Sequence, residues 1–292
     1  MNMLSQAILQ TVIYSDVFDY PLTALEIHRY LTGVKASYPE VLQALKEHPL
    51  IRQSGEYFIL PGREDLIATR QQREARSHQL LPSAIRYGRI LGSLPFVRMV
   101  ALTGSLAVMN VSADADFDYL LVTQAGRLWT ARAFAVTFGR LMRPFRHRIC
   151  VNLLLAESAL HWSQHDLYSA RELCQMIPIT GLDVYQRLME ANEWAQAFLP
   201  NAFPPKPIAK EKQALALQAL LELPLRGELG DRLERWLMTY QLRRIARHWG
   251  TGEETAFGAN ICQSNFHNHR RGTQETFEKK MNALLRQARV RE

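Results

Sequence analysis

The chain has 292 residues, 47% hydrophobic and 22% charged, a composition that excludes a fibrous repeat, a disordered tail or a membrane-embedded bundle. Its 35 lysines and arginines outnumber 28 acids, and the net charge of +7 favours a polyanionic partner such as a nucleoside triphosphate or a nucleic acid. Cys150, Cys174 and Cys262 are too scattered for a disulfide framework, and no basic segment leads into an apolar core at the N-terminus. These features predict a reducing, cytoplasmic setting. The charge-free stretch 99–113 is too short to span a bilayer, so no membrane partner is expected.

Residues 4–60 read as three helices and a hairpin. Leu4, Ala7, Ile8, Val12 and Ile13 mark the first helix, and Tyr20-Pro21-Leu22 breaks it. Thr23 with Glu26 forms a capping box for the second; Ser37 with Glu40, and Pro39 in the first turn, start the third. Leu50-Ile51-Arg52 and the run 56–60 then flank Ser54-Gly55 as a hairpin. This order resembles a winged helix, which implies a DNA-binding third helix. Tyr38, Val41, Leu42 and Leu45 form that helix's apolar face, however, and leave Glu40, Gln43, Lys46 and Glu47 outside. Two acids and one lysine suit a phosphate backbone poorly, so DNA binding and a purely packing or protein-contact role both stay open.

Residues 63–98 carry seven arginines against three acids and predict a helical connector. Arg70, Arg73 and Arg76, three apart, form either a solvated face or a rail for an acidic ligand. The run 97–102 is a strand, Gly104-Ser105 a turn, and residues 105–110 a helix start. Asp116-Phe117-Asp118 opens the strand 119–122, and residues 127–143 predict a largely buried helix containing Trp129, Phe134 and Phe138. Arg146-His147-Arg148 precedes a strand at 149–155. Helical patterns dominate from Asp166, with a linker at Pro200, Pro204, Pro205 and Pro207. A helix over 228–249 has its acids early, Arg243, Arg244, Arg247 and His248 late, and Gly250 as its stop.

Side chains alternate along a strand, so Asp116 and Asp118 share a face. Two close carboxylates resist joint ionisation unless a cation lies between them, and an oxygen-rich site suits Mg²⁺ better than Zn²⁺. Gly104-Ser105 offers close backbone approach, free N–H groups and a hydroxyl to a phosphate. The plain alternative is a helix-capping Ser105 and a strand that ends in a polar turn.

Over residues 96–157 these motifs resemble the nucleotidyltransferase superfamily that includes DNA polymerase β, aminoglycoside nucleotidyltransferases and small antitoxin-type nucleotidyltransferases. The resemblance implies a small mixed β-sheet core, at 63–160 with its leading connector helix; together with the winged-helix-like domain at 1–62 and the helical patterns over 161–292 it predicts an α+β fold. It also implies two Mg²⁺ ions, an NTP donor, Asp116 and Asp118 as catalytic metal ligands, and Gly104 and Ser105 on the β- and γ-phosphates. A third carboxylate is expected from the neighbouring strand, where this chain has Asn152, which would join Asp116 and Asp118 as a metal ligand through its amide oxygen; Glu157 lies on the opposite strand face, and Asp114 would share the acids' face on a continuous strand.

Cys262, His267 and His269 lack the second ligand pair of a zinc site, and Gly104-Ser105 lacks the context of a nucleophile elbow. Two functions follow as expectations. The first is Mg²⁺-dependent transfer of a nucleoside monophosphate to a hydroxyl acceptor, with the C-terminal helices recognising the acceptor. The second is a non-catalytic regulator with a degenerate transferase core that binds DNA, protein or nucleotide. Neither the acceptor nor the base preference is written in the sequence.

Overall fold

The computed structural model describes residues 1–113, 116–145, 148–205, 215–248, 252–266 and 268–291. Asp114, Arg146, His147, Pro207, Gly250 and His267, named above, lie outside them, as does the last residue of the helix expected over 228–249. The chain opens with α1 (Met3–Asp16), β1 (Leu22–Thr23), α2 (Ala24–Arg29), α3 (Tyr38–Lys46), β2 (Arg52–Ser54) and β3 (Tyr57–Ile59). Local chemistry sets the boundaries. Asn2 Oδ1 accepts the Ser5 N–H at 2.8 Å, Thr23 and Glu26 close their capping box, and the Ser37 N–H donates to Glu40 at 2.7 Å. The strands form a small antiparallel sheet in the order β1-β3-β2 over a core that includes Ile8, Ile27, Val41, Leu45 and Phe58.

Next come α4 (Leu66–Gly92), β4 (Val97–Thr103), α5 (Gly104–Ala107), β5 (Asp116–Thr123), α6 (Leu128–Met142) and β6 (Arg148–Ala156). Of the three α4 arginines expected to form a solvated face or a rail, two are engaged within the protein. Arg70 is 3% exposed, lies 2.9 Å from Glu26 and packs its guanidinium 3.8 Å from the Tyr20 ring centroid. Arg73 donates to Asn110 Oδ1 at 3.1 Å and to the Phe18 carbonyl at 3.3 Å, while Arg76 faces solvent. Spacing alone hid this, because the partners come from the N-terminal module and from the segment after α5. The helix expected at 105–110 is a single turn: Met109 takes φ +57° and the Asn110 N–H turns back to Ser105 O at 2.8 Å. α6 is buried along one side only, and Phe134 is 37% exposed.

The region expected to be helical contributes strands as well as helices. After α7 (Leu167–Gln175) comes β7 (Ile177–Thr180), then α8 (Leu182–Glu190), α9 (Ala195–Phe198), α10 (Leu215–Glu222) and α11 (Glu228–His248), followed by β8 (Thr255–Phe257), β9 (Ile261–Ser264) and α12 (His269–Arg291). Together these strands complete a six-stranded mixed sheet ordered β7-β4-β5-β6-β9-β8, in which β5 and β6 are parallel and the other pairs antiparallel. Four-residue strands between helices carry too little period to announce themselves; their partners lie far away in sequence. At the start of the proline-marked stretch, Asn201 Nδ2 donates to the carbonyls of His28 and Ala36 at 2.8 and 2.9 Å.

β5 is buried on both faces. Tyr119 and Leu121 join Val100, Leu102 and Leu154 against α4 and α6, whereas Leu120 and Val122 join Met99, Ala101 and Leu155 against α7 and α8. The chain end returns to the start: Phe277, Met281 and Leu284 of α12 pack on the N-terminal core, and Lys280 pairs with Asp16. Among the described residues no helix is long and apolar enough to cross a membrane.

Candidate active site

Alternation along β5 puts Asp118 on the same face as Leu120 and Val122, at the end of the strand where the apolar packing stops. Thr103, the last residue of β4, pairs with Asp118, and Gly104 then turns the chain at φ +67°. A Cβ at Gly104 would intrude on Asp118 Oδ2 and lie 3.1 Å from the Asp118 Cβ. Glycine is therefore required twice, by the left-handed backbone and by the close approach. Ser105 follows, exposed, on the single turn of α5. Asp116 stands at the strand's start opposite Arg148 of β6, and its buried Oδ1 has no hydrogen-bond partner.

Asn152 also reaches the acids, with its nitrogen foremost. The β5–β6 register slips between the pairs Tyr119↔Val151 and Leu120↔Leu153, which leaves Asn152 as the extra residue of a bulge. Its Nδ2 donates to Asp118 Oδ1 at 2.6 Å, and its Oδ1 accepts from Cys150 Sγ at 2.7 Å. In this placement it offers the acids an N–H, whereas a metal would need the amide oxygen. Glu157 lies past the end of β6 and pairs with Arg187 at 3.4 Å, away from the acids.

Burial dominates the electrostatics. It pushes the Asp118 carboxyl up to about 6, partly offset by the Asn152 N–H and reinforced by the charge of Asp116. Asp116 is raised as well, by burial, against the lowering effect of Arg148.

Sequence reasoning missed Glu172. Ala170, Leu173 and Cys174 of α7 pack with Leu120 and Val122, so α7 covers the face that carries Asp118, and Glu172 lines the same cleft as the acids. Burial, with the Asp118 charge second, pushes Glu172 up to about 7. The only trace in sequence is a polar stripe, Tyr168, Glu172 and Gln175, at i, i+4 and i+7. Neighbouring Arg171 donates to the Tyr30 carbonyl at 3.1 Å and packs its guanidinium 4.8 Å from the Tyr14 ring centroid.

Two carboxylates with an orphaned oxygen fit Mg²⁺, which takes one or two protein carboxylates and completes its shell with water and phosphate oxygens. They do not make a closed protein cage: among the described residues, no three His, Cys, Asp or Glu side chains are grouped to hold a metal ion. Cys262 is fully buried in the sheet and approaches Ser264 Oγ at 3.9 Å.

The acids open onto a cleft of about 2090 Å³ walled by the N-terminal helices, α6, α7, α11 and the start of α12. A single small ligand occupies roughly 300–1,000 Å³, so this space has room for a donor and an acceptor together. Its lining includes Arg140 of α6, Arg143 just after that helix, Arg148 of β6 and Arg244 of α11. Comparison with protein-family models, curated proteins and solved structures finds no match to the chain.

Proposed function

We propose that the protein is a Mg²⁺-dependent nucleotidyltransferase with a polymerase-β-like core and an N-terminal winged-helix module, moving a nucleoside monophosphate from an NTP to a hydroxyl acceptor. The observation that carries this reading is the apposition of Asp118 to the Gly104 turn, with the unpartnered Asp116 oxygen beside it. Asp116 and Asp118 would hold the metal. When bound, Mg²⁺ supplies neutralisation of the triphosphate charge and polarisation of the α-phosphate.

The chain's own residues do the rest. Gly104 lets the backbone approach the β- and γ-phosphates, and Ser105 adds a hydroxyl; α5 is too short for its dipole to matter. Arg148 and the arginines of α6 attract the polyanion and stabilise charge that grows on the leaving pyrophosphate. Glu172, on the opposite wall, accepts the proton of the acceptor hydroxyl as its oxygen bonds to the α-phosphorus and the bond to pyrophosphate breaks.

The test is incubation with α-labelled NTPs, Mg²⁺ and cell extract, comparing wild type with Asp116→Ala plus Asp118→Ala. Loss of labelling by about 10³-fold is expected, from removal of both metal ligands; equal labelling by the two proteins rejects the reading. The Asn152 N–H on Asp118 favours a second reading, a nucleotide-binding regulator without catalysis. That reading expects NTP binding that survives loss of both acids; loss of NTP binding in the double variant rejects it.

A further inference from the structure

Trp236 and Tyr240 lie one turn apart on α11, with rings stacked at a centroid distance of 5.5 Å and an angle of 9°. Both face solvent, 60% and 50% exposed, so the outer surface of the pair is open. Arg244 and His248 continue the row at the same four-residue spacing, and Tyr240, Arg244 and His248 line the cleft that holds Asp116 and Asp118. The ring pair thus stands at the cleft's edge.

Charge points the same way. Among the described residues the ion pairs of α11 are confined to its start, where Asp231 meets Arg127 at 2.6 Å and Glu228 meets Arg232 at 3.7 Å. After Glu234 the helix carries Arg235, Arg243, Arg244 and Arg247 and no acid. These four have no carboxylate partner among the described residues, and neither do Arg140 of the adjoining α6 and Arg143 just after its end. Unpaired guanidiniums beside an open aromatic face match a chain of phosphates that carries unstacked bases. A duplex keeps its base faces covered and has no use for the rings. A second copy of this chain would set the same row of cations against itself.

We propose that the α6–α11 face receives a single-stranded polynucleotide, with a base stacked on the Trp236–Tyr240 pair and the strand's end directed into the cleft as acceptor. The acceptor role rests on the transferase reading; the binding face does not. The outer residues of α3, Glu40 and Glu47 among them, leave the N-terminal module without a comparable surface.

Fluorescence anisotropy of the full chain without nucleotide tests this, using labelled oligo(U), oligo(dT) and a matched duplex of roughly 12 nucleotides. Single strands are expected to bind, with affinity falling as salt rises. Trp236→Ala plus Tyr240→Ala should weaken binding by about 10- to 100-fold, the size of one or two lost stacking contacts. Arg244→Ala should flatten the salt dependence by roughly 0.7 in log–log slope. A preference for oligo(U) identifies RNA and for oligo(dT) DNA, and either supports the proposal.

Unchanged binding by the aromatic double variant, duplex binding as tight as single-strand binding, or no binding at low salt overturns it. So does a change in oligomeric state of that variant by light scattering, which would make the rings a contact between copies. Asp116→Ala plus Asp118→Ala should bind oligonucleotide like wild type. Wild type that binds oligonucleotide but transfers no label therefore rejects the transferase reading and leaves the binding face standing.

Discussion

Asp118 is held where its charge is poorly solvated, and its folded state therefore keeps a proton more tightly than the unfolded chain does. Between the ordinary value of 3.8 and the shifted value of about 6, the folded protein binds more protons, so stability falls as pH rises through that window. Above about pH 6 the destabilisation is complete. Asp118→Asn should then raise stability by about 2 kcal/mol at pH 8, with the gain vanishing near pH 4, as measured by urea unfolding at the two pH values. Gly104→Ala should do the reverse: a Cβ in a left-handed turn against Asp118 costs about 1–3 kcal/mol and should abolish NTP binding, read by calorimetry.

Glu172→Gln separates binding from chemistry, because NTP binding should survive while transfer falls by about 10²-fold or more. The two aspartates and the Gly-Ser turn were legible in sequence because each is a local pattern on one strand or one turn. Glu172 was not, since only the packing of α7 on β5 brings it to the acids.

Elements here are finished by side chains from elsewhere. The first amides of α6 have no cap of their own; Glu234 of α11 accepts from Trp129 N at 2.7 Å and Thr130 N at 2.8 Å, and from the Thr130 hydroxyl at 2.6 Å. A carboxylate at a helix N-terminus is favoured by both hydrogen bonding and the dipole. Glu234→Ala leaves two buried N–H groups without acceptors and should cost about 3 kcal/mol in chemical denaturation, with Glu234→Gln restoring part of it. The capping boxes of α2 and α3 could be read from four-residue patterns, whereas this cap, supplied across helices, has no local signature. The single turn of α5 and the bulge at Asn152 were hidden for the same reason: long-range pairing of β4, β5 and β6 overrides the local preference.

At the scale of the whole molecule, α12 closes the N-terminal module. Arg63 approaches Asp16 at 3.0 Å, Lys280 pairs with the same carboxylate, and the Phe277 ring meets Tyr14 edge-on at 6.1 Å. Phe277→Ala should lower stability by about 2 kcal/mol and shift one cooperative calorimetric transition of the full chain. Two separate transitions, only one of them shifted, would refute this coupling.

The amino-acid sequence by itself determined the helices with self-contained caps, the hairpin, the alternation along β4 and β5, and the placing of two aspartates on one strand face, because these depend on neighbours within a few residues. The tertiary structure alone decided that β7, β8 and β9 complete the sheet, that Asn152 turns its nitrogen to Asp118, that Arg70 is buried and that Glu172 faces the acids. Each of these rests on the free energy of contacts between distant segments, which no local period records.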